Sequence, residues 1–137
     1  MHLNLISLAP VCALALAGLA ACAPDVTAGS GAALYRQNCF ICHGATGAGD
    51  GAQAGESPVP PADLRGLSAA NGGVFPTERV MATIYGYRGK DYAGLMPEFG
   101  PLLEGPTVIW KAPGGQEIPT PSTLLALTAY LESIQEP

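Results

Sequence analysis

The chain has 137 residues, 48% of them apolar, with 18 glycines, 13 prolines and a net charge of −5. That length allows one domain plus a leader, and the apolar fraction excludes a disordered chain. All six Lys/Arg and all eleven Asp/Glu follow Cys22, and they form no basic patch, which excludes nucleic acid as a partner.

Leu3 to Ala21 is almost all Leu, Ala, Ile and Val, carries no charge, and ends in Leu19-Ala20-Ala21-Cys22. It reads as an export signal over residues 1–22, although only the amino terminus and His2 can supply its positive end. An uncleaved membrane anchor is the alternative, and Pro10 weakens it by interrupting a spanning helix. Leu-Ala-Ala-Cys resembles the bacterial lipobox, in which the cysteine is lipidated and becomes the first residue. Cys12 leaves with the signal, so lipidation would give the odd thiol, Cys22, a role. Such an anchor would place the domain on the periplasmic side of a bacterial membrane. Ordinary cleavage after Ala21 or Ala23 would leave it soluble in the periplasm. Residues 23–30 are then a tether reaching at most about 28 Å.

Ser30 is the expected cap of a helix over residues 31–38. That helix delivers the chain into Cys39-Phe40-Ile41-Cys42-His43. On a helix the two cysteines lie one turn apart on one face, where both thiols reach the vinyl groups of one haem. His43 follows at once and can bring its imidazole under the iron. C-x-x-C-H is the attachment signature of c-type haem. A thioredoxin-like pair needs a βαβ setting, and a zinc site needs a second ligand pair downstream. Neither is present in the sequence, but a pattern of three fixed residues also arises by chance.

Gly44 to Gly51 is glycine-rich without the Lys-Ser/Thr of a phosphate loop, so it reads as a flexible turn. Pro58-Val59-Pro60-Pro61 is stiff and extended, with carbonyls free to accept. Pro60 or Pro61 is the expected acceptor for the second ring nitrogen of His43, and Asp63 is a cap. Pro76, with Glu78 in the first turn, opens a helix with Val80, Met81 and Ile84 on its apolar face and Gly86 at its end. Met81 is therefore a core residue. Pro97 holds Met96 in an extended loop, where its thioether is a candidate soft ligand for haem iron. The bland reading of Met96 is core filling. Beyond the signal there is no second histidine. A short β-hairpin is expected near residues 106–118, with Trp110 over the haem crevice or the last helix. Pro121 and Ser122 open the final helix, whose Leu124, Leu127, Leu131 and Ile134 form a core stripe beside Tyr130.

Taken together, several stretches resemble class I cytochrome c over residues 29–136. They are Gly31 with Tyr35, Cys39-Phe40-Ile41-Cys42-His43-Gly44, Pro61-Ala62-Asp63-Leu64, Met96-Pro97-Glu98-Phe99 and Leu127-Thr128-Ala129-Tyr130-Leu131. The resemblance implies an all-α cytochrome c fold over residues 31–136, three to four helices around one covalent haem c, with the hairpin inserted. It implies that Cys39 and Cys42 are the thioether attachments, His43 the proximal ligand and Met96 the distal one. The first and last helices would cross at Gly31, Tyr35, Leu127 and Tyr130. With both axial positions filled, the expected function is one-electron transfer rather than catalysis. Partners would be redox proteins, with the chain a monomer or a subunit of a larger complex. A haem subunit permanently bound to a periplasmic dehydrogenase or oxidase is the alternative. A haem enzyme or gas sensor, with Met96 displaced, and a tethered dithiol protein also stay open. Only Lys90 and Lys111 are lysines, so the lysine ring on which some family members dock is missing. The negative charge calls for a partner surface of positive potential.

Overall fold

The computed structural model describes residues 23–86 and 96–137. The leader with Cys22, Lys90 and the Gly94-Leu95 pair before Met96 lie outside the described residues. The order is α1 (Ala28–Asn38), α2 (Phe40–His43), α3 (Thr77–Tyr85), β1 (Thr107–Lys111), β2 (Glu117–Pro121) and α4 (Ser122–Ser133). Short 3₁₀ turns lie at Ala54–Glu56, Ala69–Asn71 and Gly100–Leu102.

Helix α1 starts three residues earlier than expected. Thr27, not Ser30, is the cap: its Oγ1 accepts the Ser30 N–H at 3.3 Å. Both residues are of the capping type, and Asp25 decides between them by accepting the Thr27 N–H at 3.0 Å. Ser30 sits in the first turn, and its hydroxyl donates to the Thr27 carbonyl at 2.8 Å. The stretch ahead of the helix is therefore only residues 23–27.

Helices α1 and α4 form the main packing. Gly31 is buried against α4, and a Cβ there would run into the Ala126 carbonyl and lie 2.8 Å from the Tyr130 Cβ. One turn on, the Tyr35 and Tyr130 rings meet with centroids 5.1 Å apart at 48°. Leu124, Leu127 and Leu131 of α4 are buried as the stripe predicts, together with Ala126 and Thr128. Helix α3 adds Val80, Met81 and Ile84 to the same core, which confirms Met81 as packing. It starts at Thr77, with Pro76 as the flanking residue. Gly86 ends it at φ +96°, donating its N–H to Ala82 at 3.0 Å.

The segment from Met96 to Leu103 packs over the end of α3. The Phe99 N–H donates to the Ile84 carbonyl at 2.9 Å. Leu103 is fully buried. The hairpin pairs antiparallel, with Trp110 opposite Ile118 and Lys111 opposite Glu117. Trp110 packs on the main core and lines a groove together with Leu125 and Ala129 of α4. The fold is mostly helical with one small sheet, as the sequence suggests.

Candidate haem site

The C-x-x-C-H stretch straddles a break between two helices. Cys39 (φ −116°, ψ −30°) closes α1 and opens the single turn of α2. Its own N–H still bonds the Tyr35 carbonyl at 2.9 Å, and the His43 N–H reaches the Cys39 carbonyl at 2.9 Å. Cys39 is thus the shared residue on which one helix ends and the next begins. Both thiols are free and half-buried. Cys39 packs on the main core, while the Cys42 Sγ makes one weak contact to Gln53 Oε1 at 3.9 Å.

His43 Nδ1 lies 3.0 Å from the Ala62 carbonyl. A carbonyl can only accept, so Nδ1 carries the proton and Nε2 of the neutral ring keeps its lone pair. The acceptor is one residue past the expected Pro60 or Pro61. The Pro61 carbonyl is turned instead against Gly49, where a Cβ would strike it.

The glycine-rich loop is not the flexible turn the sequence suggests. It folds back along the motif and satisfies the orphan carbonyls of α2. Gly49 N–H donates to His43 at 2.9 Å, Gly51 to Cys42 at 3.1 Å and Gln53 to Ile41 at 2.9 Å. A Cβ on Gly51 would collide with the Ile41 carbonyl, so the approach requires glycine. The Leu64 N–H ties this loop to the next one through the Gly47 carbonyl at 2.7 Å. Tyr35 fixes the far end: its hydroxyl donates to the Gly44 carbonyl at 2.7 Å. Burial pushes this hydroxyl up to about 12, so it stays a donor across the physiological range.

Sequence reasoning missed the latch on the segment that carries Ala62. Gln135, just past α4, donates from Nε2 to Leu64 and Leu131, both at 2.7 Å. Its Oε1 accepts the Ser68 N–H at 2.8 Å. Beside it, Arg65 spans Asp63 at 2.7 Å and Glu136 at 2.8 Å. Asp63 also accepts the Arg65 N–H at 2.9 Å, which makes it the expected cap, and Arg65 holds its carboxyl down at about 2. The ion pairs are exposed and add little stability. Gln135 matters more, because one side chain bonds three backbone groups. Gln135→Leu is expected to leave the Leu64 carbonyl and Ser68 N–H without a partner and to cost about 1–3 kcal/mol. The urea midpoint of the haem-loaded protein is the measurement; an unchanged midpoint would remove the latch from this account.

Met96 is half-buried and rests on the same core cluster as Cys39. The donor set therefore suits a thioether-linked haem: two free thiols one turn apart, and an imidazole with Nε2 open. It suits the alternatives poorly. Burial pushes the Cys39 thiol up to about 11, with Cys42 adding to the shift, whereas a redox thiol needs a lowered value. Among the described residues no three His, Cys, Asp or Glu side chains converge as a metal site, so no zinc set forms there.

Residues 26–110 match the family described as cytochrome c oxidase, cbb3-type, subunit III. The match takes in α1, α2, α3 and β1 up to Trp110, and stops short of α4. Comparison with curated proteins and with solved structures gave no match. With this match over more than half its length, the chain belongs to that family of class I c-type cytochrome domains, which carry a covalent haem c and transfer electrons.

Proposed function

We propose that the chain is a one-electron carrier whose haem is joined through Cys39 and Cys42, with His43 as proximal and Met96 as distal ligand. The bond from His43 to the Ala62 carbonyl carries this reading. It fixes the tautomer and would leave Nε2 as the ligating atom. The Gly49–Gln53 strap holds the motif backbone still, so the imidazole is presented in one pose. Met96, held by Pro97, would supply the neutral soft donor as second ligand. The bound group itself supplies a ferric–ferrous couple. With His43 and Met96 both holding the iron, the chain would leave no position for a substrate, and its residues would hold and tune the couple.

The leader would carry the domain across a bacterial membrane, and Cys22 would hold it on the periplasmic side. Among the described residues no helix is long and apolar enough to cross a membrane. Its partners are redox proteins. A second reading, a haem subunit fixed in an oxidase complex, draws on the family's description and on one observation. Phe40 and Ile41, between the two cysteines, are 43% and 44% exposed. Large side chains this open beside a redox centre suit a standing interface.

The test is covalent haem after denaturing electrophoresis, in protein from a host able to attach it. The wild type is expected to retain haem on the polypeptide, and Cys39→Ala with Cys42→Ala to retain none. Retention by the double variant would end the attachment assignment. Gel filtration of mild detergent extracts separates the two readings, since a free carrier elutes alone.

A further inference from the structure

We propose that the groove between the hairpin and α4 rests on the lipid surface of the membrane that holds the N-terminus. This builds on the anchor reading above, and it concerns a face that the haem site does not use.

The groove has a volume of about 230 Å³ and is lined mainly by Val26, Trp110, Leu125 and Ala129. None of residues 39–43, nor Met96, lines it. Trp110 stands opposite Ile118 in the hairpin, which places both side chains on one face of the ladder. Val26 is 41% exposed and Ile118 40%. An aromatic ring with a polar N–H among aliphatic side chains is the composition that settles at a membrane–water interface.

The occupant follows from where the chain leads. Val26 lies four residues from Cys22, and the helix cap at Thr27 follows immediately. Four residues span at most about 14 Å. Ahead of Cys22 runs Leu3–Ala21, apolar and uncharged. Whether Cys22 is acylated or the run is kept as an anchor, this groove is leashed within that reach of the headgroups. The earlier start of α1 makes the leash short, because it removes three residues from the expected tether.

Charge neither drives nor blocks the contact. Lys111 and Glu117 pair at 3.6 Å at the end of the hairpin, and Glu132 is the one charged side chain on the groove lining. Apolar contact should therefore dominate, with little dependence on salt or on anionic lipid.

Trp110 is the sole tryptophan, so its emission reports this face alone. The experiment uses the full haem-loaded chain in phosphatidylcholine vesicles, with or without bromine high on the acyl chains. The ratio of the two signals cancels quenching by the haem. Bromine is expected to remove roughly half of the emission, as for a ring within about 5–10 Å of the headgroup boundary. Val26→Asp with Ile118→Asp, on the same leader, should float with the vesicles and lose that quenching. Ile118→Asp alone, at an exposed hairpin site, serves if the pair misfolds. Wild-type protein that floats but is not quenched overturns the docking face and leaves the anchor intact. Protein that does not float overturns the anchor and the docking together. Shielding of Trp110 that appears only in native membranes, never in pure lipid, assigns the face to a protein partner and overturns the lipid surface.

Discussion

Met96→Ala is expected to lower the reduction potential by on the order of 0.1 V or more, within the roughly 0.8 V that axial ligands span. A thioether favours the ferrous state, so its loss leaves water or a weak oxygen donor and stabilises the ferric form. The same change should remove the sulfur-to-iron absorption band and let carbon monoxide bind the ferrous protein rapidly. Met96 has a second, mechanical role to separate from ligation. It is half-buried against the core, next to Pro97 and the turn that ties Phe99 to Ile84 at 2.9 Å. Truncation to alanine leaves a void as well as a missing ligand. Met96→Leu is the control, since it fills nearly the same volume without sulfur. If Met96 ligates, leucine and alanine should lose the band alike, while leucine keeps more of the stability. A leucine variant with unchanged colour and potential would reduce Met96 to core filling. It would also reopen the gas-sensor reading, because the iron would then have an exchangeable position.

The features legible in the sequence are those whose chemistry fixes residue types at fixed spacing. Cys39, Cys42 and His43 form such a pattern, because the proposed attachment needs two thiols and an imidazole to reach one group. The α4 stripe of Leu124, Leu127 and Leu131 is another, and all three are buried. Met81 went to the core because its neighbours already set the apolar face of α3. What stayed hidden was carried by the backbone. The acceptor for His43 is the Ala62 carbonyl, and every residue has a carbonyl, so the stiff proline run pointed only to the neighbourhood. The loop from Gly44 to Gly51 looked like slack because glycine marks both freedom and close approach. Only the three bonds to Ile41, Cys42 and His43 separate the two. Thr27 and Ser30 are rival caps three residues apart, and Asp25 settles the choice through a contact no capping rule weighs. Gln135 left no pattern to read, since its partners Leu64 and Ser68 lie far back along the chain.

Two glycines on one helix should respond in opposite directions to the same change. Gly29 and Gly31 both lie in α1. Glycine in a helix costs roughly 0.5–1 kcal/mol relative to alanine, through backbone entropy. At Gly29 a Cβ would meet only Thr27 Oγ1 at 3.6 Å, an ordinary contact. Gly29→Ala should therefore stabilise the protein by about 0.5 kcal/mol, slightly less near a helix end than in its middle. At Gly31 the same methyl would strike the Ala126 carbonyl, and Tyr130 Cβ lies 2.8 Å from it. The obstacle is the backbone of α4, held on its other side by buried Leu124 and Leu127, so it cannot turn aside as a side-chain tip can. The helices must move apart, and overpacking of this kind costs about 1–3 kcal/mol or more. That outweighs the entropic gain, so Gly31→Ala should destabilise, and Gly31→Val should do so further. The strain also has a route to the haem site. Tyr35 sits one turn beyond Gly31, meets the Tyr130 ring at a tilt and donates to the Gly44 carbonyl at 2.7 Å, beside His43. Opening the crossing pulls on that bond, so Gly31→Ala should also shift the haem spectrum, whereas Gly29→Ala should not. Paired urea titrations with optical spectra decide it: a Gly31→Ala protein as stable as Gly29→Ala would mean that the α1–α4 crossing is not the tight contact on which this fold is built.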